Sequence, residues 1–389
     1  MHKGKFVFAQ LMDFVNRYEF DKCVERYNGD YKTRDFNCWC QFLCMTFGQL
    51  THRESINDII TCLNAHYNSV YHMGIKQVVS ISTLTRANKN RDWRIYADFA
   101  NYLLSITRPL YHDDSDFAID LENTVYAFDS TTIDLCLRTF IWAKFRKAKA
   151  AIKLHTLIDV RGNLPTFIYI TDGKVHDVNA LDELLFEKDA FYVMDKAYVD
   201  FERLFKITKA NSFFVVRAKD NLNFRCNKSQ KIDKSTGLRC DQTIKLLTKK
   251  SALDYPIYLR RIKYYDKEND LLLVFLTNNF EISAILIAML YKQRWQVELF
   301  FKWIKQHLRI KVFWGHSSNA VKTQVWIALC SYILIAYIKK QLNVKLSMYE
   351  MLQILSVSSF TKEPIKELFT NMSKNNENIL SSNQLNIFN

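Results

Sequence analysis

Four polar residues near the C-terminal end of the chain have the types and the spacing that phosphate chemistry needs. They are Tyr291, Arg294, Glu298 and Lys305. On one continuous α-helix they share a stripe about 60° wide, beside a stripe of apolar residues. A carboxylate between fixed cations can hold a metal ion while the cations bind phosphates. A solvated face with charge pairs three and four residues apart fits the same pattern.

The spacing Tyr-x2-Arg-x3-Glu-x6-Lys resembles the YREK signature of the DDE transposases of bacterial insertion sequences, in the family numbered four. The resemblance implies a ribonuclease H-like core that cuts and joins DNA with two divalent cations, Mg²⁺ or Mn²⁺, held by three carboxylates. Glu298 would supply one of them, from a helix. The other two would lie at the ends of adjacent strands.

Two aspartates follow apolar segments that are typical of buried strands. Asp129 follows Val125 to Phe128, and Asp195 follows Phe191 to Met194. A buried carboxylate is costly unless it is paired or bound to metal. The contexts Asp-Ser-Thr and Asp-Lys-Ala-Tyr resemble the two aspartate motifs of the family, which makes Asp129, Asp195 and Glu298 the catalytic metal ligands. For each aspartate taken alone, a structural role at a strand end is the alternative.

The resemblance also implies which residues contact DNA near the cut. Tyr291, Arg294 and Lys305 would contact mainly phosphates, and Lys302 would extend the cationic stripe on the same helix.

Other polar residues near the expected sheet edge have simpler explanations. Lys153, His155 and His176 could assist the site, although both histidines also fit structural roles. Asp177 precedes a segment with helical spacing and is predicted to be its N-cap.

The order of elements from residue 124 predicts an α/β fold. Three strands come first, then helix and strand alternate, which is the ribonuclease H-like order of a mixed sheet flanked by helices. The predicted strands are 124–128, 151–160, 166–171, 190–194 and 212–216, and the helices are 178–186 and 200–209.

The chain is predicted to have five segments. They are an N-terminal helical DNA-binding domain (1–110), the first part of the core (120–218), an inserted β-rich subdomain (219–280), the C-terminal helices of the core (281–345) with one long helix from Ser283 to Ile310, and a C-terminal helix with a disordered tail from Asn371 (346–389).

The charge of the chain indicates a polyanionic partner. The 389 residues carry a net charge of +14, with a basic excess concentrated in 138–153 and 205–250. Such concentration favours double-stranded DNA. In the N-terminal domain, Ser82 could cap a helix to Arg91 whose Thr, Arg, Asn and Lys side chains suit a major groove. An ordinary basic surface helix fits equally well.

Cysteine content and hydropathy indicate a reduced, cytoplasmic location. Nine cysteines fit a bacterial cytosol, with the protein associated with the nucleoid. Cys38, Cys40 and Cys44 could bind zinc with His52, but their spacing favours buried core thiols. The apolar run from Val325 to Ile338, about 14 residues, is too short to span a bilayer, so no membrane partner is expected.

The resemblance implies a transposase that binds inverted repeats as a homodimer, cleaves the ends and joins them to target DNA. It also implies a hairpin intermediate, in which an aromatic residue of the insertion stacks on a flipped base. Trp is absent between Trp142 and Trp295, which leaves four candidates: Tyr258, Tyr264, Tyr265 and Phe275. The alternatives are a ribonuclease H-like nuclease or resolvase, and a catalytically inactive DNA-binding relative.

Overall fold

The computed structural model describes residues 4–111, 121–146, 149–310 and 312–370, so the predicted tail lies outside it. The helices are α1 (Val7–Met12), α2 (Arg17–Arg26), α3 (Cys38–Leu50), α4 (Ile56–Ala65), α5 (Tyr67–His72), α6 (Ile81–Asn90), α7 (Arg94–Thr107), α8 (Phe201–Lys209), α9 (Lys249–Asp254), α10 (Ala284–Lys292), α11 (Trp295–His307), α12 (Ser318–Gln341) and α13 (Met348–Ser358). The strands are β1 (Val125–Leu135), β2 (Lys144–Arg146), β3 (Lys149–Asp159), β4 (Leu164–Asp172), β5 (Phe191–Met194), β6 (Phe213–Arg217), β7 (Phe224–Ser229), β8 (Leu238–Leu246), β9 (Leu259–Asp266) and β10 (Leu271–Thr277).

The described residues fall into two compact units. The helical unit lies within Met1–Tyr111, Cys136–Trp142 and Lys302–Asn389, and the sheet unit lies within His112–Leu135 and Ala143–Phe301. Helix α11 begins in the sheet unit and ends in the helical unit.

The sheet unit has the predicted ribonuclease H-like topology. Strands β1, β3 and β4 pair antiparallel, and β1, β5 and β6 pair parallel, giving the order β4-β3-β1-β5-β6. The predicted fold class is therefore confirmed. All four residues of β5 are buried, as expected for a central parallel strand covered on both faces.

The segment predicted as a β-rich insertion extends this sheet. Strand β10 pairs with β6, and β9, β8 and β7 follow in antiparallel order. The basic stretch up to residue 250 contains β7 and β8. Five of the six residues of β7 are exposed, so no alternation of buried and exposed residues indicated a strand there.

The helical unit is built around α12, which packs against α3, α6 and α7. Its 24 residues make it longer than the apolar run suggested. By length and composition α12 could cross a membrane, but 89% of its apolar window is buried inside the protein, as in the core helix of a soluble protein. The length and composition of α12 are therefore weak evidence that it spans a membrane.

The cysteines of α3 behave as core thiols. Cys38, Cys40 and Cys44 are buried, and burial raises the pKa of each thiol above its usual value. Within the described residues, no group of three His, Cys, Asp or Glu side chains is arranged to hold a metal ion.

Three predictions about helix ends and continuity were wrong. Ser80, and not Ser82, caps α6 by accepting from the Thr83 N–H. Asp177 is no cap: it starts a 3₁₀ helix, Asp177–Glu183, and its carboxylate bonds elsewhere. The long helix from Ser283 to Ile310 is two helices, α10 and α11.

A buried ion pair fixes the start of α10 against the sheet. The Arg260 guanidinium on β9 donates two hydrogen bonds, of 2.9 and 2.8 Å, to the carboxylate of Asp241 on β8. Its remaining Nη1 donates to the carbonyls of Asn279 and Ile282, directly before the α10 N-cap Ser283. Both charged side chains are less than a tenth exposed. The start of the helix that carries Tyr291 thus depends on this pair.

We expect Asp241→Ala to lower the free energy of unfolding of the sheet unit by about 3–5 kcal/mol, because it leaves a buried guanidinium without its counter-charge. Urea unfolding would measure the loss. Glu19→Ala, which removes the exposed pair with Lys22 on α2, should leave stability nearly unchanged. Equal effects of the two changes would contradict the structural role of the buried pair.

Candidate active site

The strand pairing brings Asp129 and Asp195 to the same edge of the sheet. In the parallel pair β1–β5, Phe128 lies opposite Met194, and each of the two aspartates directly follows its member of that pair. Asp129 is still within β1, while Asp195 begins the turn into the 3₁₀ helix Lys196–Tyr198. The predicted strand end at Asp129 was wrong, because β1 continues to Leu135. The two aspartates still lie side by side, where the parallel pairing of β1 with β5 ends.

A two-residue turn, Gln293 and Arg294, separates α10 from α11, the helix that carries Glu298. The N–H of Arg294 donates to the carbonyl of Tyr291, and the N–H of Val297 donates to the carbonyl of Arg294. In both hydrogen bonds the donor lies three residues after the acceptor, whereas in an α-helix it lies four residues after. The α-helix is therefore interrupted at Gln293 and Arg294. The prediction of one continuous helix was therefore wrong, but across the break Tyr291 contacts Asp195 and Arg294 contacts both Asp129 and Glu298.

The Arg294 guanidinium lies between two carboxylates. Nη1 lies 3.0 Å from Oδ2 of Asp129, and Nη2 lies 2.6 Å from Oε1 of Glu298. Only 17% of the Arg294 side chain is exposed, and its Nε is buried with no hydrogen-bond partner among the described residues. Arg294 was predicted to contact DNA. In this structure it joins the first and third acids of the site.

Tyr291 contacts the second acid, Asp195. Its hydroxyl donates to Oδ1 of Asp195 at 3.3 Å, and its ring packs on Phe275 with centroids 4.7 Å apart. Burial, and then the charge of Asp195, raise the pKa of Tyr291 to about 12. The phenol therefore stays protonated at neutral pH and remains a donor to the carboxylate.

Burial raises the pKa of Asp129 to about 6. The Ser130 N–H, 2.8 Å from Oδ1, and the Arg294 guanidinium oppose this rise, while the carboxylates of Glu298 and Asp195 add to it. Three carboxylates thus lie close enough to act on one another around the Arg294 guanidinium. Such a cluster of interacting acids is typical of a site that receives a cation.

The donor chemistry of Asp129, Asp195 and Glu298 fits a divalent cation. Carboxylate oxygens are the hard ligands that Mg²⁺ and Mn²⁺ prefer. In the described residues the three acids do not form a closed ligand set. Arg294 occupies the space between two of them, so a bound cation would have to displace or rearrange its guanidinium.

The remaining predicted residues lie in different places. Lys302 and Lys305 follow on α11 within the helical unit, so their contact with DNA stays a prediction. On β3, His155 is buried and Lys153 is partly buried, and His176 is exposed. Phe275 is fully buried and packed on Tyr291, so it does not offer a free face to a flipped base.

Among the other aromatic candidates, Tyr258 is 45% exposed. Tyr265 donates to Asp270 and lies under the Arg239 guanidinium. The choice between these residues and Tyr264 stays a prediction.

A second polar surface lies in the helical unit, on α6. Its outward residues are Ile81, Ser82, Thr85, Arg86, Lys89 and Asn90, and none is acidic. The helix borders a groove of about 960 Å³, whose other side includes Tyr31, Lys32 and Arg34. The basic side chains lining the groove outnumber its two acids, Asp35 and Asp92.

Comparison with known families gives two matches along the chain. Residues 120–334 match the family described as a transposase DDE domain, and residues 3–76 match a domain of unknown function, DUF4372. The first match contains all three acids of the site.

Curated relatives with similar sequences include two bacterial proteins. A putative transposase, y4zB, from Sinorhizobium fredii is 35% identical over 211 residues, which are 53% of this chain and 58% of the relative. A probable transposase for insertion sequence element IS5377 from Geobacillus stearothermophilus is 33% identical over 225 residues, 56% of this chain and 59% of the relative. The chain thus spans about three fifths of the length of these relatives.

The chain is also similar to a solved structure, the piggyBac transposase synaptic complex with hairpin DNA. It has a TM-score of 0.46 and 11% sequence identity, and the match covers 93% of this chain and 80% of that chain.

We expect Asp129→Asn to stabilise the metal-free protein at pH 8. Folded Asp129 binds its proton more tightly than the unfolded chain does, so its charge lowers stability as the pH rises from about 4 to about 6, and the loss is complete above that. Removing the charge should raise the free energy of unfolding at pH 8 by about 1–3 kcal/mol.

Urea unfolding in EDTA at pH 5 and pH 8 would measure this difference between wild type and variant. The advantage of Asp129→Asn should shrink at the lower pH. The same difference at both values, or a destabilised variant at pH 8, would contradict the assignment of a buried charge to Asp129.

Proposed function

Since the chain belongs to the family of transposase DDE domains, which matches more than half of it, we propose that it transposes an insertion sequence. It binds the inverted repeats of its element, cleaves the ends and joins them to target DNA. The observation that carries this proposal is the meeting of Asp129, Asp195 and Glu298 at one sheet edge, with Arg294 between two of them. Membership of the numbered family four stays a prediction.

The family implies dependence on a divalent metal ion, and we propose Mg²⁺ or Mn²⁺ as a pair of ions held by Asp129, Asp195 and Glu298. Bound there, the ions would lower the pKa of the attacking water or 3′-hydroxyl and stabilise the leaving oxygen. The protein's own groups prepare the site. Arg294 balances Asp129 and Glu298 in the free protein, and Tyr291 orients Asp195 through its hydroxyl.

We propose that DNA meets two surfaces of the chain. The basic groups Arg294, Lys302 and Lys305 contact phosphates near the cut, because guanidinium and ammonium groups bind phosphate oxygens strongly. The outward face of α6 reads the terminal repeat in a major groove, since Arg, Asn and Thr side chains can bond base edges. The N-terminal residues 1–110 are the end-binding domain in this proposal.

A homodimer on paired ends, in the bacterial cytoplasm, completes the proposal, because joining two ends requires two active sites. Cleavage through a hairpin belongs to it as the route, with Tyr258 as the exposed stacking candidate. A ribonuclease H-like nuclease would share the acids but not need the surface on α6. An inactive DNA-binding relative would keep that surface and lack cutting.

Glu298→Gln should abolish cutting and leave end binding intact, because it removes one metal-binding charge and keeps the shape of the side chain. The measurement is strand cleavage and gel-shift binding of a labelled duplex bearing the repeat that flanks the gene, with Mg²⁺ or Mn²⁺. Asp195→Ala is the second inactive variant. Undiminished cutting by either variant would remove its residue from the site, and binding without cutting by wild type would favour the inactive relative.

The double change Arg86→Gln with Lys89→Gln should weaken binding to the repeat, because it removes two cations that neutralise phosphates. The slope of log affinity against log salt should fall by about 1–2, since each neutralised phosphate accounts for about 0.9 of that slope. Lys22→Gln removes a cation that is already paired with Glu19 and is the matched control. If both proteins bind as wild type does, α6 is not the DNA surface. Thr85→Ala with Asn90→Ala should instead relax the preference for the repeat over unrelated DNA.

A further inference from the structure

A second carboxylate, Asp177, lies behind the active site across the strand that carries Asp129. Neighbouring residues of a strand point to opposite faces of a sheet, so Ser130 faces away from Asp129. On that face the Ser130 hydroxyl donates to Oδ1 of Asp177 at 2.7 Å. The N–H of the same Ser130 donates to Oδ1 of Asp129 at 2.8 Å. One residue therefore bonds two acids on opposite faces of the sheet.

Asp177 is held by more than this one bond. The Lys153 ammonium on β3 lies 3.1 Å from the same Oδ1 and also donates to the carbonyl of Val175 at 2.8 Å. Only 13% of the Lys153 side chain is exposed. The carboxylate thus receives a hydroxyl from β1 and an ammonium from β3, and it ties both strands to the 3₁₀ helix that Asp177 begins.

The surroundings of Asp177 are buried and polar. His155, opposite Ser130 in the β1–β3 pairing, is fully buried; its Nε2 bonds the Thr171 hydroxyl, and its Nδ1 lies 3.9 Å from Oδ1 of Asp177. The hydroxyl of Tyr198, three residues after Asp195, is also buried, and burial raises the pKa of this phenol far above its usual value. Burying polar groups costs free energy unless hydrogen bonds or ion pairs offset the loss of water.

We propose that Asp177 is a positioning residue that fixes the carboxylate of Asp129 through Ser130. This proposal rests on the proposed function, because it assigns Asp129 to metal binding. Asp177 holds Ser130 on the far face by a charge-assisted hydrogen bond, and this sets the Ser130 N–H that orients Asp129. Groups that orient a metal ligand from behind typically change metal affinity about 10–100-fold when removed.

The chain offers a matched control on the same 3₁₀ helix. Asp182 also pairs with cations, Arg203 at 2.6 Å and Lys206 at 3.2 Å, but these partners lie on α8 and its carboxylate is partly exposed. Asp182→Asn therefore removes a carboxylate and its ion pairs without touching Ser130. It reports any loss that comes only from weakening this helix.

The experiment compares full-length wild type with Ser130→Ala, Asp177→Asn, their double variant and Asp182→Asn. Mn²⁺ affinity is measured by calorimetry, and the Mn²⁺ concentration for half-maximal cutting of the repeat duplex is measured in parallel. Ser130→Ala keeps the backbone N–H and the Lys153–Asp177 pair, so it tests the link with little effect on folding. Urea unfolding in EDTA monitors stability.

We expect Ser130→Ala and Asp177→Asn each to weaken Mn²⁺ binding about 10–100-fold, with cutting restored at high Mn²⁺. The double variant should be no weaker than Asp177→Asn alone, because both changes break one link. Asp182→Asn should bind Mn²⁺ as wild type does. Unchanged affinity in Ser130→Ala, or additive losses in the double variant, would overturn the positioning role.

Failure of the proposed function gives a different result. A wild type that binds Mn²⁺ but does not cut contradicts the transposase proposal alone, and the affinities of the variants still decide the role of Asp177. A wild type that neither cuts nor binds Mn²⁺ contradicts both proposals.

Discussion

One guanidinium between two partly buried carboxylates is the constraint around which the candidate active site is arranged. Arg294 pairs with Glu298, four residues further along the chain, and with Asp129 on β1. The direction of α10 depends in turn on Arg260 and Asp241, which hold the residues before its first turn. The ion pair between Arg260 and Asp241 therefore helps to position the segment whose Arg294 pairs with two acids of the site.

The sheet supplies precision that the helices alone could not. Parallel pairing of β1 with β5 fixes the spacing of Asp129 and Asp195 through backbone hydrogen bonds, and side chains such as Phe128, Met194 and Phe214 pack beneath them in one core. Functional groups on rigid elements keep their geometry better than groups on loops.

Much of this core could be predicted because its signals are local. The run Phe191–Met194 is apolar throughout, and the acid that ends it stands out. The break at Gln293 and Arg294 could not be predicted, since the sequence there has no Gly or Pro and each residue suits a helix. Strand β7 was not predicted because most of its side chains are exposed. The partners of Asp177 come from two distant strands, and spacing along the chain does not reveal such cross-strand contacts.

The burial of Asp129 also has a consequence for gene copies that lose their activity by mutation. Under the proposed function, the Asp129 charge is needed for chemistry, yet it lowers the stability of the folded metal-free protein, so a substitution that neutralises it leaves a well-folded product. Selection that acts through misfolding and degradation would not remove that copy. We therefore expect silent descendants to persist as intact proteins that still occupy DNA ends and compete with active siblings.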